Sequence, residues 1–392
     1  MKYISLFCGC GGFDVGLNNA GFVPTAAYDI EPIAVEVFKA NINADACIRD
    51  LTSGLEKHEI EKGVQLVVAG PPCQGFSTVG KRKLDDPRNN LLTISGEIAV
   101  KIKPKVFVVE NVRGVTAGEH KQYWEALREM LISSGYKVAD LKCDGPDIGL
   151  AQLRSRMIMI AWTGKKEINF KLAKKESKAL YDVLQGLDSQ DNHIKKFLEP
   201  DTIAFHIAEK IAPGQKLSDV RGGPTSIHTW DIPEVFGEIT ATERLVLETI
   251  LKLRRTMRIR PNGDADPVPV SAIDDVLGVD SSPVLSSLLK SKYIKVRDGN
   301  FDLAHGFNGK FRRLCWDKPS YTVDTRFGNP KYFLHPSENR GFTVREAARI
   351  QGFPDDFLFL GTESQQFRMV GNAVPPPLGE ALGEFIKHTF FV

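Results

Sequence analysis

The stretch "YISLFCGCGGFDVGLNNAG", Tyr3 to Gly21, decides the architecture. A short apolar run, Tyr3 to Phe7, meets glycines at 9, 11 and 12, and a helical pattern then continues to Gly21. Strand, tight glycine turn and helix are the opening of a βαβ unit. The same rhythm recurs downstream. Thr25 to Ile30 reads as a second strand, followed by a helix with Pro32 near its first turn. "CIRDL" (Cys47 to Leu51) is a third strand and "QLVVAG" (Gln65 to Gly70) a fourth. A helix near Leu91 to Ile102 precedes a fifth strand, Lys105 to Asn111. Another helix ends at Gly135, and Met157 to Trp162 is a later strand. Continuous apolar strands alternating with helices predict an α/β fold. Its sheet should be doubly wound, mostly parallel, Rossmann-like and covered on both faces.

Composition narrows the class. The apolar fraction of 42% and charged fraction of 26% fit a water-soluble globular protein. A net charge of +2 argues neither for nor against a nucleic-acid partner, so such a face must come from local clustering. The cysteines are Cys8, Cys10, Cys47, Cys73, Cys143 and Cys315. None form a Cys-x-x-Cys pair, so no structural metal is expected. Nothing suggests a disulfide framework, and the apolar start is too short for a signal peptide or membrane span, so a cytoplasmic protein is expected.

After about Lys165 the rhythm breaks into polar segments and loops. Thr240 to Arg255 opens with a Thr-x-x-Glu capping box and reads as an amphipathic helix. Two short helices split by Gly278 follow, then a hairpin turning near Asp298-Gly299-Asn300. Three helices and a hairpin over about 240–303 match either a winged helix or an ordinary helical subdomain. The expected organisation is a first domain over 1–186, a second, smaller domain over 187–365, and a segment over 366–392 returning to the first.

The glycine loop allows close approach of a bound group, although its spacing is not the dinucleotide fingerprint. Asp29 ends the second strand, where a carboxylate can accept from ribose hydroxyls, and Asp50 ends the third, where it can accept from an adenine amino group. Alone, either aspartate equally suits a turn or helix cap. Together with the loop they suggest a nucleoside at the carboxyl ends of the strands.

At that same edge lies "AGPPCQGFS", Ala69 to Ser77, which puts Cys73 behind two prolines. Glu110 and Asn111 end the fifth strand, and "QLRSR" brings Gln152, Arg154 and Arg156 to the entry of another. A thiolate, a carboxylic acid and a guanidinium can act together on a cytosine. The thiolate adds to C6, the acid supplies a proton at N3, and the guanidinium holds O2. That would make C5 a nucleophile.

The blocks "ISLFCGCGGFDVGL", "GPPCQGFS", "VVENVRGV", "QLRSR", "RGFTVREAARIQGFPDDF" and "VGNAVPPPLGEAL" resemble, in order, those of the C5-cytosine DNA methyltransferases of prokaryotic restriction-modification systems. The resemblance implies S-adenosylmethionine as methyl donor and product S-adenosylhomocysteine. It implies double-stranded DNA as partner, with base flipping of the target cytosine, and a target-recognition role for the second domain. A cognate restriction endonuclease is the functional partner that the family type suggests, and a monomer is expected. Carried over, the catalytic residues are Cys73, Glu110, Arg154 and Arg156. The cofactor set is Phe7, Gly9, Gly11, Gly12, Asp29, Ile30, Asp50, Leu51, Pro72, Leu91 and Asn372. The loop reads Cys8-Gly9-Cys10 where the family more often has Ala-Gly, and residues from about Leu187 to Phe311 match no block.

DNA contacts are expected from the basic loop after the cysteine, at Ser77, Lys81, Arg82 and Lys83. Arg254, Arg255, Arg258, Lys290 and Lys292 are further candidates in the second region. Two other readings stand beside this one. A tRNA cytosine-5 methyltransferase shares the chemistry, although "CQGFS" and the long middle region favour DNA. A DNA-binding regulator with a decayed enzyme body is disfavoured by its intact catalytic positions.

Overall fold

Seven strands form the sheet that the glycine turn begins. They are β1 (Lys2–Leu6), β2 (Val23–Asp29), β3 (Ala46–Ile48), β4 (Leu66–Ala69), β5 (Val106–Val112), β6 (Lys137–Asp144) and, after a two-residue β7 (Gln152–Leu153), β8 (Ser155–Trp162). Their order is β3-β2-β1-β4-β5-β8-β6. Strands β1 to β5 pair in parallel, and β8 is antiparallel to both its neighbours. The winding reverses between β1 and β4, which makes the carboxyl edge there a ligand-binding crevice. The protein is known from a computed structural model that describes residues 1–60, 62–72, 86–260 and 263–391.

The strands are apolar throughout because both faces are covered. Leu66, Val68, Val106, Val108, Ile158 and Ile160 face one layer, with Phe13 and Leu17 of α1 (Gly12–Asn19). Val67, Ala69, Phe107, Val109, Met159 and Ala161 face the other. There they meet Leu92 and Ile98 of α3 (Asn90–Ile102) and Trp124 and Leu127 of α4 (Lys121–Ser133), while α2 (Pro32–Asn41) links β2 to β3. Each such buried side chain contributes about 1.5–3 kcal/mol. Strand β6 is missing from the sequence reading because it lies at the sheet edge. Of its residues only Cys143 is buried, so it leaves no apolar run.

The described chain forms two compact units: Met1–Ile194 with Trp316–Arg326 and Thr343–Val392, and Lys195–Cys315 with Phe327–Phe342. A short α5 (Leu180–Val183) closes the first stretch. The second unit holds α6 (Ile203–Lys210), α7 (Pro233–Phe236), α8 (Ala241–Thr256), α9 (Val270–Leu277) and α10 (Ser282–Lys290). Its short strands are β9 (Lys216–Leu217), β10 (Ser226–Ile227), the hairpin β11 (Ile294–Arg297) and β12 (Asn300–Leu303), and β13 (Arg312–Arg313). The capping box of α8 forms as its sequence requires. The Thr240 hydroxyl accepts the Glu243 N–H at 3.2 Å, and the Glu243 carboxylate accepts the Thr240 N–H at 2.8 Å. Val246, Leu247, Ile250, Ile273, Leu285, Leu288, Ile294 and Leu303 make one core.

The chain returns through β14 (Ser320–Tyr321), which pairs with β7, then gives β15 (Phe333–Leu334) to pair with β13. It finishes in the first unit with α11 (Val344–Gln351), α12 (Glu363–Asn372) and α13 (Pro376–Ile386). The second unit is therefore narrower than the expected 187–365, and the return begins well before 366. Part of the reason is α11, a polar sequence. Its Arg345, Glu346 and Gln351 are instead buried in the first unit, where Arg345 donates to the carbonyls of Asp191, Pro354 and Phe357. Helices α1 and α13 meet backbone to backbone. A Cβ at Gly16 would lie 2.1 Å from the Pro376 carbonyl oxygen, and one at Gly379 would lie 2.4 Å from that of Phe13. Among the described residues no helix is long and apolar enough to cross a membrane.

Candidate functional site

The register aligns the strand ends. Leu6 pairs with Tyr28 and Ala69, and Ala69 with Val109. The next residues on each strand, Phe7, Asp29, Gly70 and Glu110, therefore share one edge. Asp29 and Glu110 stand three strand spacings apart, roughly 15 Å.

On the β1–β2 side the chain turns sharply. Phe7 is left-handed at φ 55°, a conformation that costs a non-glycine residue about 1–2 kcal/mol. Asp29 fixes the loop, accepting the Gly9 N–H at 2.8 Å on one oxygen and the Glu31 N–H at 2.9 Å on the other. Burial pushes its carboxyl up, opposed by these two N–H groups. The three glycines differ. A Cβ at Gly12 would meet the Val374 carbonyl oxygen at 2.4 Å, so packing demands that glycine, while Gly11 is left-handed at φ 93°. Gly9, at φ +55°, has nothing within 4 Å of that position and faces open space. Burial raises the Cys8 thiol and pushes Cys10 up to about 12, so neither offers a thiolate near neutral pH.

Of the expected adenosine-side residues, Ile30, Asp50 and Leu51 follow β2 and β3 at this edge. Ile30 is 59% exposed, an unusual place for an isoleucine, and Leu51 is buried. Asp50 serves as a cap, accepting the Thr52 N–H at 2.9 Å, which lowers its carboxyl. Leu91 is half-buried at the start of α3, and Asn372 is exposed at the end of α12. The strand-to-turn path at β4 is held by Asn111, whose side-chain N–H donates to the Pro71 carbonyl at 3.3 Å while its oxygen accepts the Val112 N–H at 2.8 Å. This lock leads to Pro72. Cys73, Ser77, Lys81, Arg82 and Lys83 lie outside the described residues.

On the β5–β8 side, Glu110 and Arg156 meet. Arg156 Nε lies 2.6 Å from Glu110 Oε1, both side chains being about one-tenth exposed. The N–H is not aimed along that contact, and Glu110 Oε1 has no hydrogen-bond donor among the described residues. Arg156 Nη1 donates to its neighbour's carbonyl, that of Ser155, at 2.9 Å. A buried carboxylate is thus held against a guanidinium at the sheet edge.

Arg154 goes elsewhere, although it is two residues from Arg156. It is buried and donates to the carbonyls of Val323 (3.1 Å), Gly371 (3.3 Å) and Ala373 (2.8 Å). It fastens the returning chain. Gln152 joins it, donating to Ile350 O at 3.2 Å and accepting the Val323 N–H at 3.1 Å. These carbonyl partners come from segments more than 160 residues away, and no sequence signal marks them.

Of the second-unit cations, Arg254 is not on the surface. It is 7% exposed, ion-paired to Asp302 at 2.5 Å, and donates to the Asp219 carbonyl at 3.2 Å. It falls on the core face of α8, four residues after Ile250, which is why it turns inward. Arg255, Arg258, Lys290 and Lys292 are exposed, and Arg258 donates to the Gly263 carbonyl at 2.6 Å.

The chain is similar to known proteins over its length. The C-5 cytosine-specific DNA methylase family model matches residues 1–388. The type II methyltransferase M.AgeI of Thalassovita gelatinovora is 30% identical over 99% of both chains. The type II methyltransferase M.HgiCII of Herpetosiphon aurantiacus is 30% identical over 99% of this chain and 97% of its own. In fold, the chain is similar to a proposed DNA modification methyltransferase encoded within a prophage (E. coli), with a TM-score of 0.61, 21% identity and 99% of both chains covered. A family match over nearly the whole length makes this chain a member of the C-5 cytosine-specific DNA methylases, and hence a DNA (cytosine-5-) methyltransferase.

Proposed function

We propose that this enzyme methylates C5 of a cytosine flipped out of a specific duplex DNA sequence, using S-adenosylmethionine and a transient bond between Cys73 and C6. The observation that carries the reading is the buried Glu110–Arg156 pair at the carboxyl edge of the sheet, level with Asp29.

The edge fits the methyl donor. Asp29 uses two of a carboxylate's roughly four acceptor positions on backbone N–H groups, which leaves others for ribose hydroxyls. Gly9 leaves room beside the loop, and the exposed Ile30 offers an apolar surface to a purine. Phe7, Gly9, Asp29, Ile30, Asp50, Leu51, Pro72, Leu91 and Asn372 would hold the molecule, while Gly11 and Gly12 keep the loop closely packed. When bound, it supplies an electrophilic methyl group.

The protein's own residues prepare the base. Cys73 Sγ adds to C6, and the C5=C6 electron pair moves into the ring. Glu110 gives a proton at N3, and Arg156, already anchored on Glu110, holds O2 and the charge that develops there. C5 is then nucleophilic. After methylation the C5 proton passes to solvent, its electron pair reforms C5=C6, the Cys73–C6 bond pair returns to sulfur, and N3 gives its proton back to Glu110. Flipping costs a few kcal/mol, offset by contacts in the pocket. Ser77, Lys81, Arg82 and Lys83, directly after the cysteine in sequence, belong with phosphate contacts in this reading. Its type II relatives support a place in restriction-modification in the bacterial cytoplasm, beside an endonuclease of the same specificity.

The test is methyl transfer from labelled S-adenosylmethionine to a mixed-sequence duplex and, separately, to tRNA. Label in duplex cytosine, absent with Cys73→Ser, is the expected result. Label in tRNA alone would overturn the choice of substrate, and full activity of Cys73→Ser would overturn the mechanism.

A further inference from the structure

We propose that residues 240–303 form a winged helix that is itself a duplex-DNA-binding module, with α10 in the major groove and the β11–β12 turn against phosphate. The proposal rests on the enzyme acting on duplex DNA.

The topology is complete. Helix α8 is followed by an extended residue, Val268, which exchanges two 2.8 Å backbone hydrogen bonds with Phe301 of β12. Helices α9 and α10 come next, then β11 and β12 in antiparallel register from Ile294–Leu303 to Arg297–Asn300. Three extended segments, with β12 in the middle, and three helices share one core. Between α9 and α10, Gly278 closes the first helix at φ +69°. Asp274 accepts both the N–H and the hydroxyl of Ser281, at 2.9 and 2.6 Å. These contacts fix the helix–turn–helix elbow. In such a motif the second helix enters the major groove.

The outward surface suits that role. On α10, Leu285 and Leu288 face the core while Ser282, Pro283, Ser286, Ser287 and Lys290 face out. The short residues let the helix backbone approach a groove floor, and hydroxyls can donate to or accept from base edges. Ser287 is tied to Glu243 at 2.6 Å, which holds α10 against α8.

The charge fits phosphate. Lys290, Lys292, Lys295 and Arg297 are exposed, and none makes an ion pair or hydrogen bond among the described residues. The acids of this segment do not neutralise them. Asp280 is engaged with the Ser282 N–H at 2.9 Å, and Asp302 is buried against Arg254. That leaves Asp275 on α9 and Asp298 in the turn. The turn itself is tight, with Asp298 and Gly299 at φ 51° and 76°, so Arg297 projects from a short, fixed wing. A surface with four unpaired cations and a short-residue helix complements a polyanion's groove better than an apolar protein partner.

Fluorescence anisotropy of the full-length enzyme on labelled duplexes tests this, over a range of salt concentrations. Lys290→Ala/Lys292→Ala and Lys295→Ala/Arg297→Ala should each weaken binding about tenfold on every duplex. The slope of log affinity against log salt should fall by about 0.9 for each phosphate that is no longer neutralised. Ser282→Ala/Ser286→Ala, in selection from random duplexes, should change which sequences are enriched. S-adenosylmethionine binding by each variant controls for folding. Affinities within twofold of wild type with an unchanged slope, in variants that still bind S-adenosylmethionine, would overturn the proposal and point the module towards a protein partner. If the wild type methylates duplex DNA while these variants bind normally, only the module falls. If binding depends on these cations but no methyl is transferred to DNA, only the enzymatic reading falls.

Discussion

Each unit buries one arginine–carboxylate pair of nearly the same geometry. Arg156 and Glu110 stand 2.6 Å apart in the first unit, and Arg254 and Asp302 stand 2.5 Å apart in the second, all four about one-tenth exposed. Their settings differ. Glu110 lies in β5 just past its last pair with the parallel β4, level with Asp29 and one strand from the Pro-Pro turn. Asp302 lies inside a hairpin strand roofed by helices. Burial and pairing are therefore no mark of catalysis by themselves. Position at the carboxyl edge of the sheet is what makes Glu110, rather than Asp302, the candidate for a reacting carboxylate.

The sharpest test of that contrast exchanges the amide for each acid. Removing one partner of a buried pair costs about 3–5 kcal/mol in either setting, so denaturant unfolding should not separate Glu110→Gln from Asp302→Asn. Turnover should. Glu110→Gln is expected to lower kcat by about 10²–10⁴ on folded enzyme, and Asp302→Asn to leave it within about twofold. Apolar double replacement carries this further. Arg254→Met/Asp302→Leu should recover stability and keep activity, whereas Arg156→Met/Glu110→Leu should recover stability and remain inactive. An active Arg156→Met/Glu110→Leu variant would dissolve the distinction.

The first unit also contains a buried carboxylate whose partners are neutral. Asp14, at the start of α1, accepts from the Tyr3 hydroxyl at 3.0 Å, and burial pushes its carboxyl up from 3.8 to about 6. The folded chain therefore keeps a proton there that the unfolded chain has lost between about pH 4 and 6. Stability must fall as the pH rises through that window and stay lower above it, by about 3 kcal/mol. Asp14→Asn keeps an acceptor for Tyr3, so it should raise the melting temperature at pH 7.5 and flatten this slope. A melting curve unchanged at both pH 4.5 and pH 7.5 would remove the assignment.

The helix contacts rank next. Gly379→Ala should cost about 1–3 kcal/mol, because the added carbon meets the Phe13 backbone. Thr240→Ala, on the exposed cap of the second unit, should cost about 1 kcal/mol and leave methyl transfer unchanged. Thermal unfolding resolves both.

The sheet was legible because strands buried on both faces are written as unbroken apolar runs, and the glycine turn and capping box carry local signals. The edge strand β6 and the buried polar helix α11 were not, since one has no apolar run and the other spends Arg345 and Gln351 on backbone carbonyls inside the unit. At the site, Glu110 and Arg156 were expected together and lie together. Arg154 and Arg254 were read as functional cations, yet each is buried among partners distant in sequence. Basic residue type is visible in a sequence. For Arg254 the helical period, four residues after the buried Ile250, marked the inward face; for Arg154 the deciding carbonyls lie far along the chain and leave no local mark.

The central claim is that Glu110 and Arg156 prepare a cytosine for Cys73, and one measurement addresses it most directly. Enzyme incubated with S-adenosylmethionine and a target duplex carrying 5-fluorocytosine cannot lose a proton from C5, so the adduct should persist through denaturation. The account predicts a stable protein–DNA species whose crosslinked peptide contains Cys73, greatly reduced in Glu110→Gln. An enzyme active on ordinary cytosine that forms no such species, or forms it at another residue, would contradict it.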